Sequence, residues 1–192
     1  GAVRGRYSII GLEPDLIFRV NGDRAEINRG ARHTPDIFAP CDRPPLQALR
    51  DLIAESRIAL PTGLPPMAAG VFGYLGYDMV RQMEELPPPN PDPLGLPDAI
   101  MTRPTLIIVF DAVQDSITVV TPVRPVPGVS ADAAFARATE RLSSVVDALD
   151  QLHEGAFFSF RGRALRALAA ERLVPLPHGP FIHASTLREL LE

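Results

Sequence analysis

The sequence predicts an α+β fold in which antiparallel β-hairpins pack against a few amphipathic helices. Two observations support this class. Segments rich in β-forming residues follow one another across short turn signals, and two other segments repeat apolar residues with the period of a helix. Runs of hairpins interrupted by helices are typical of antiparallel sheets with helices against a sheet face.

The first elements are predicted strands joined by turns. Arg6–Leu12 is rich in β-formers and ends at the turn signal Glu13-Pro14-Asp15. Leu16–Val20 then alternates, and Asn21-Gly22-Asp23 is a strong signal for a short hairpin loop. Arg24–Asn28 is the expected returning strand.

A helix is predicted over residues 46–60, after a polar, proline-rich loop over residues 29–45. Pro45 suits the first helical position, and Pro61-Thr62-Gly63 ends the pattern. The expected apolar face consists of Leu46, Leu49, Ile53, Ser56 and Leu60.

The middle of the chain alternates between short elements and connections. Ala68–Tyr74 is a predicted strand, Tyr77–Glu85 a short helix, and residues 87–97 an extended connection. Thr105–Asp111 and Ser116–Thr121 form the clearest hairpin. The continuous apolar run of its first strand indicates burial on both faces.

A second helix is predicted from a cap at Ser130 to about Leu149. Its expected apolar stripe comprises Phe135, Ala138, Leu142, Val145, Val146 and Leu149. Beyond it the composition shifts towards Ala, Arg and Leu. We therefore predict one domain over residues 1–150 and a divergent, weakly ordered tail over residues 151–192.

Composition and charge exclude several classes of function. The chain has 192 residues, of which 46% are hydrophobic and 22% charged, with a net charge of −4. No basic footprint suggests nucleic acid, and no apolar run is long enough to span a bilayer. The lone Cys41 and the lack of a secretory signal lead us to expect a cytoplasmic protein.

The segment GVFGYLGYD contains glycines at positions 70, 73 and 76. A phosphate-binding loop would require Lys-Ser/Thr after the last glycine, and a dinucleotide site a different glycine spacing. A packed strand-to-helix corner is the simpler interpretation. Asp78 and Glu85 flank Arg81 at helical spacing, which favours ion pairs over catalysis.

Other reactive side chains form no recognisable site. His33, His153, His178 and His183 are scattered, without the spacing of zinc ligands. Asp42 next to Cys41 disfavours a thiolate. We therefore predict no catalytic residue and no metal ligand in this chain.

Arg4-Gly5-Arg6-Tyr7 is the one candidate binding segment. Arginine supplies a planar donor fork for a carboxylate, and tyrosine supplies stacking area. The set would suit an amino acid or another small carboxylate. The alternative is the start of an edge strand with solvated arginines.

Four segments carry a resemblance to a known family: GRYSIIGLEPDLIFR (5–19), GVFGYLGYDMVRQMEELP (70–87), DPLGLPDAIMTRPTLIIVFD (92–111) and ITVVTPV (117–123). Over roughly residues 3–150 the chain resembles the N-terminal region of anthranilate synthase component I. The equivalent region of aminodeoxychorismate synthase component I is similar, less closely.

The resemblance implies a regulatory and scaffold part of an enzyme of tryptophan biosynthesis. The intact family enzyme converts chorismate and ammonia to anthranilate and pyruvate with Mg²⁺, and a glutamine amidotransferase subunit supplies the ammonia. Its chorismate and Mg²⁺ residues lie in a C-terminal half that we expect this chain to lack, so we expect the chain alone to be inactive. The tryptophan feedback residues that carry over are Arg4, Gly5, Arg6 and Tyr7.

Two other functions stay open at this point. One is a stand-alone module that binds a small ligand such as L-tryptophan. The other is an interaction domain with exposed apolar faces.

Overall fold

The computed structural model describes residues 5–89, 91–114 and 116–155. It confirms the α+β class: one antiparallel sheet of six strands, two α-helices and a short 3-10 helix. In chain order the elements are β1 Tyr7–Asn21, β2 Arg24–Asn28, β3 Ala39–Pro40, α1 Pro45–Ser56, β4 Phe72–Leu75, the 3-10 helix Tyr77–Gln82, β5 Ala99–Asp111, β6 Ser116–Val120 and α2 Ala131–Gly155.

The long strands β1 and β5 form the centre of the sheet. The strand order is β3-β2-β1-β5-β4, and β6 also pairs with β5. β4 pairs with residues 99–102 of β5, and β6 pairs with residues 107–111. On the other side of the sheet, β2 pairs only with residues 17–21 of β1. Among the described strands, residues 7–12 of β1 therefore pair only with β5.

The predicted turn at Glu13-Pro14-Asp15 is wrong, because β1 runs through it without a break. Pro14 pairs with Pro104 and Leu16 with Arg103, so β1 has one more residue here than β5. This is a β-bulge, and proline, which has no N–H for the ladder, is tolerated at such a site. Glu13 has a positive φ of 49°. β5 is also longer than predicted, because it begins at Ala99 and not at Thr105.

The bulge divides the core between the two faces of the sheet. Phe18 pairs with Met101, and Leu12 pairs with Leu106. Met101 and Leu106 are five residues apart on β5, so they point to opposite faces. The first core cluster joins Leu16, Phe18, Val20 and Ala99 to Leu49 and Leu52 of α1, and the second joins Leu12, Leu106 and Ile108 to Val145 of α2. The two helices therefore cover opposite faces.

Helix α1 confirms the prediction of a helix but corrects its inner face. Pro45 lies in its first turn as predicted, and the helix ends at Ser56. Leu52 is 2% exposed, whereas Ile53, expected inside, is 43% exposed. The buried positions are Pro45, Leu49, Leu52 and Ser56. Their spacing of four, three and four residues follows one narrow helical face, which excludes Ile53.

Helix α2 begins as predicted, since the Ala133 N–H donates to Ser130 Oγ at 3.2 Å. The buried apolar stripe along α2 is narrower than predicted. Ala138 and Val145 are buried, but Phe135 is 72% exposed and Val146 48% exposed. The helix continues to Gly155, past the expected end near Leu149. The division into residues 1–150 and 151–192 stays a prediction, and residues 156–192 lie outside the described part of the chain.

Candidate functional site

Arg6 lies just before β1 and binds a carboxylate of its own chain. Its Nε donates to both carboxylate oxygens of Asp111 at 3.1 and 3.0 Å, and its Nη2 donates to Oδ2 at 2.7 Å. The strand register places this pair, because Tyr7 is opposite Asp111. The backbone N–H of Ala112 also donates to the carbonyl of Arg6 at 2.8 Å. The planar donor fork of Arg6, which was predicted to bind a ligand, therefore joins the start of β1 to the end of β5.

Asp111 also fixes the turn that follows β5. Its Oδ1 accepts the backbone N–H groups of Val113 at 2.9 Å and Gln114 at 3.1 Å. The hydrogen bonds from Arg6, with these backbone donors, lower the pKa of Asp111 to about 2, although burial opposes the shift. Asp111 is therefore ionised at neutral pH, as an acceptor for Arg6 must be.

Arg6 and Tyr7 contact each other at the surface. The guanidinium carbon of Arg6 is 4.8 Å from the centre of the Tyr7 ring, within the range of a cation–π contact. The Arg6 side chain is still 45% exposed. Among the described residues, no hydrogen bond engages its Nη1. The structure thus brings Arg6 and Tyr7 together beside the open edge of β1, with one donor group that a ligand could use.

Gly5 and Arg4 are the other two members of the predicted site. Gly5 is exposed, and a Cβ there would meet only the Tyr7 carbonyl oxygen, at 3.8 Å. Arg4 lies outside the described residues.

A network of ion pairs around the bulge was not expected from the sequence. Arg103 binds Asp15 through Nε at 2.8 Å and Nη2 at 3.0 Å. Glu55 of α1 pairs with Arg29 at 2.9 Å and approaches Arg103 at 3.4 Å. The hydrogen bond from Arg29 lowers the pKa of Glu55. Partners this far apart in sequence give no local signal, so only the fold brings them together.

Arg124 lies next to this network, but only part of its guanidinium has a hydrogen-bond partner among the described residues. Burial lowers its pKa, and the neighbouring Arg103 guanidinium lowers it further. Its Nη2 is 3.5 Å from the Ser56 carbonyl oxygen at the end of α1. Its Nε and Nη1 are buried without an acceptor among the described residues. We interpret the network as a structural tie between the bulge and α1.

The glycine segment GVFGYLGYD forms the packed corner that its spacing predicted. A Cβ at Gly73 would overlap the carbonyl oxygen of Ile100, and one at Gly76 would lie 2.9 Å from the carbonyl oxygen of Asp98. Tyr74 Oη donates to the Pro97 carbonyl at 2.7 Å. The glycines therefore allow β4 to lie closely against β5, and the tyrosine fixes the chain that enters β5.

Charged groups around this corner also have structural partners. Asp98 Oδ2 accepts the backbone N–H of Gly22 at 2.6 Å, which ties the first hairpin to the start of β5. Arg81 Nε donates to Asp78 Oδ1 at 2.7 Å, as the helical spacing predicted.

Cys41 and the histidines are the remaining candidate reactive side chains. Cys41 is a free, half-buried thiol, and burial raises its pKa. No group of three or more His, Cys, Asp or Glu side chains in the described ranges is placed to hold a metal ion. His178 and His183 lie outside these ranges. Within the described ranges, no helix is long and apolar enough to cross a membrane.

Comparison with known proteins gives a consistent result. No family model matches the chain. An anthranilate synthase component 1 from Cereibacter sphaeroides is 52% identical over 151 residues, which covers 79% of this chain and 30% of the relative. One from Thermus thermophilus is 29% identical over 221 residues, covering 97% and 43%, respectively.

A crystal structure supports the fold. Anthranilate synthase component I from Streptococcus pneumoniae superposes with a TM-score of 0.56 at 21% identity, over 76% of this chain and 30% of that one. This chain thus spans less than half the length of the curated relatives it matches. The resemblance that its motifs carry is confirmed, since its curated homologues are anthranilate synthase component 1 proteins.

Proposed function

We propose that this chain is a regulatory and scaffold part of anthranilate synthase component 1, acting in tryptophan biosynthesis. The observation that carries the proposal is the 52% identity over 151 residues with the Cereibacter sphaeroides protein. In this proposal the enzyme converts chorismate and ammonia to anthranilate and pyruvate, with ammonia delivered by an amidotransferase subunit. The chain itself contributes a scaffold and part of the binding site for the feedback inhibitor.

The proposed inhibitor contacts are Arg4, Gly5, Arg6 and Tyr7. Arg6 is held in place by Asp111 and keeps an exposed guanidinium edge. That edge suits the carboxylate of L-tryptophan, and the Tyr7 ring beside it suits the indole. Gly5 leaves room for a ligand to approach the backbone.

In this proposal the Mg²⁺ of the intact enzyme is held outside this chain. Within the described ranges, no group of three or more His, Cys, Asp or Glu side chains is placed to hold a metal ion. The proposal therefore assigns the metal and the chorismate chemistry to other parts of the enzyme.

A chimaeric enzyme tests the proposal. Residues 5–148 of this chain replace the matching segment of the Cereibacter sphaeroides protein, and anthranilate formation from chorismate and ammonia is followed by fluorescence. We expect an active enzyme that L-tryptophan inhibits. Arg6→Gln and Tyr7→Ala should each raise the tryptophan concentration for half-inhibition by about tenfold, the loss of one charge-assisted contact.

Asp111→Asn is the matched control, because it breaks the ion pair but keeps the guanidinium. It should weaken inhibition less than Arg6→Gln does. Equal effects of the two substitutions would show that Arg6 only holds the sheet together. Micromolar binding of L-tryptophan to the 192-residue chain by itself would favour a stand-alone module, and anthranilate formation by it would overturn the scaffold role.

A further inference from the structure

A pocket of about 220 Å³ lies at the end of α1. Its walls come from the last turn of α1 and from the chain that leads from α1 towards β4. Small-molecule sites in proteins are concave and mostly apolar, and drug-sized ligands occupy about 300 to 1,000 Å³, so this pocket suits a smaller molecule. Most of its wall residues are apolar: Ile53, Ile58, Leu60, Ala69 and Val71.

Several of these apolar residues are open to solvent. Ile53, Ile58 and Leu60 are 43%, 38% and 37% exposed. Helical periodicity predicted Ile53 and Leu60 on the inner face of α1, but the helix ends at Ser56 and its buried positions exclude Ile53. The structure instead brings both residues to the wall of the pocket. A ligand that fills the pocket would remove this apolar surface from water, which favours binding.

Positive charge without a carboxylate partner lies at this pocket. Arg57 is one of its wall residues, and no hydrogen bond or ion pair within the described part of the chain engages the Arg57 guanidinium. None of the described residues that line the pocket is acidic. Glu55, the nearest carboxylate in sequence, is held by Arg29 and Arg103. An anion is therefore the charge that this pocket would take.

Arg124 adds a second cation next to Ser56. Ser56 lines the pocket, and its backbone carbonyl oxygen is 3.5 Å from Arg124 Nη2. Nε and Nη1 of Arg124 are buried and have no acceptor among the described residues. The carbonyl groups at the end of α1 oppose an anion with about half an elementary charge, and the two guanidinium groups outweigh them.

We propose that this pocket binds a small carboxylic acid with an apolar body. Arg57 pairs with the carboxylate, and the apolar walls cover the body of the ligand. An amino acid is a poorer ligand, because no carboxylate lines the pocket to bind its ammonium group. A phosphate also suits the pocket less, because its greater charge is costly to place against apolar walls. This inference does not depend on tryptophan binding at Arg6 and Tyr7.

Titration of the full chain, labelled with ¹⁵N, with 3-phenylpropionate tests the proposal. We expect the amide resonances of residues 56–60 and 69–71 to shift with a dissociation constant of about 1 mM, an ordinary affinity for a ligand of this size. 3-Phenylpropionamide lacks the charge and L-phenylalanine adds an ammonium group, so each should bind at least about tenfold more weakly. Shifts confined to residues 5–9 would place the acid at Arg6 and overturn the proposal.

Two matched arginine variants supply the control. Arg57→Gln changes an exposed residue, so the chain should still fold, and its affinity for 3-phenylpropionate should fall about tenfold. Arg137→Gln also removes an exposed cation, but on α2, and should leave the affinity unchanged. Ile58→Ser removes part of the apolar wall and should weaken binding about tenfold. Equal effects of the two arginine variants, equal binding of the acid and either analogue, or tighter binding of inorganic phosphate would each overturn the proposal.

Discussion

The two ends of the β1–β5 sheet are closed in different ways. At one end, Gly73 and Gly76 let the backbone of β4 and its following turn lie against the backbone around Ile100 and Asp98. At the other end, the Arg6–Asp111 side-chain pair joins β1 to β5, and Arg6 stays 45% exposed. Contact between backbones tolerates no added atom, whereas a side-chain clamp can rearrange. The glycine end therefore tolerates substitution less well, and the Arg6 end is where we propose that a ligand binds.

The same substitution at both ends should show this contrast most strongly. Gly73→Ala places a methyl group on the Ile100 carbonyl oxygen, and we expect it to lower the free energy of unfolding by about 3 kcal/mol or more. The Cβ of Gly5→Ala would meet its nearest atom at 3.8 Å, so this substitution should change the free energy of unfolding by less than about 0.5 kcal/mol. Urea titration of both variants measures the difference, and similar midpoints would contradict it.

The core near the glycine end can be tested with neighbouring residues of α1. Leu52→Ala empties a site that is 2% exposed and should cost about 3 kcal/mol of unfolding free energy. Ile53→Ala changes a side chain that is 43% exposed and should cost less than about 1 kcal/mol. Denaturant unfolding in which Ile53→Ala costs as much as Leu52→Ala would disprove the observed inner face of α1.

Tyr74→Phe removes one hydrogen bond at the glycine end and keeps the ring. The Pro97 carbonyl loses its donor at 2.7 Å, so we expect a cost of about 1 kcal/mol in unfolding free energy. Tyr77→Phe is the control, because that side chain is 85% exposed, and should be neutral. The hydroxyl of Tyr74 would have no stabilising role if both variants unfolded at the wild-type midpoint.

The Arg6 end should show its clamp as a dependence of stability on pH. The folded pKa of Asp111 is about 2, below the ordinary value of 3.8, because Arg6 hydrogen-bonds the carboxylate. A lowered pKa means that the stabilisation is present above about pH 4 and is lost as pH falls towards 2. Arg6→Gln and Asp111→Asn should both flatten the unfolding free energy between pH 4 and 2. An unchanged slope in both variants would contradict this.

Local signals predicted much of this fold. Asn21-Gly22-Asp23 gave the first hairpin, Pro45 and Ser130 marked the helix starts, and the apolar run of β5 indicated a buried strand. These features depend on residues close together in sequence. The motifs also indicated the family of the homologues.

The features missed depend on distant residues. Glu13-Pro14-Asp15 has the composition of a turn, and only pairing with Pro104 makes it a bulge. Asp15 meets Arg103 across 88 positions. Because the bulge moves the core to the other face, the inner sides of α1 and α2 could not be assigned from helical periodicity alone. The binding site at Arg4, Gly5, Arg6 and Tyr7 stays a prediction, and the carboxylate of Asp111 that holds Arg6 has no signal in the sequence.

Native-state hydrogen exchange tests the contrast between the two ends most directly. We expect the backbone amides of residues 7–12 that donate to β5 to exchange at least about 10-fold faster than the amide of Gly76, which donates to the Asp98 carbonyl, because the end held by a side-chain pair opens more readily than the packed corner. Equal protection at both ends, or faster exchange at the glycine corner, would contradict the division into a locked scaffold end and an open binding end.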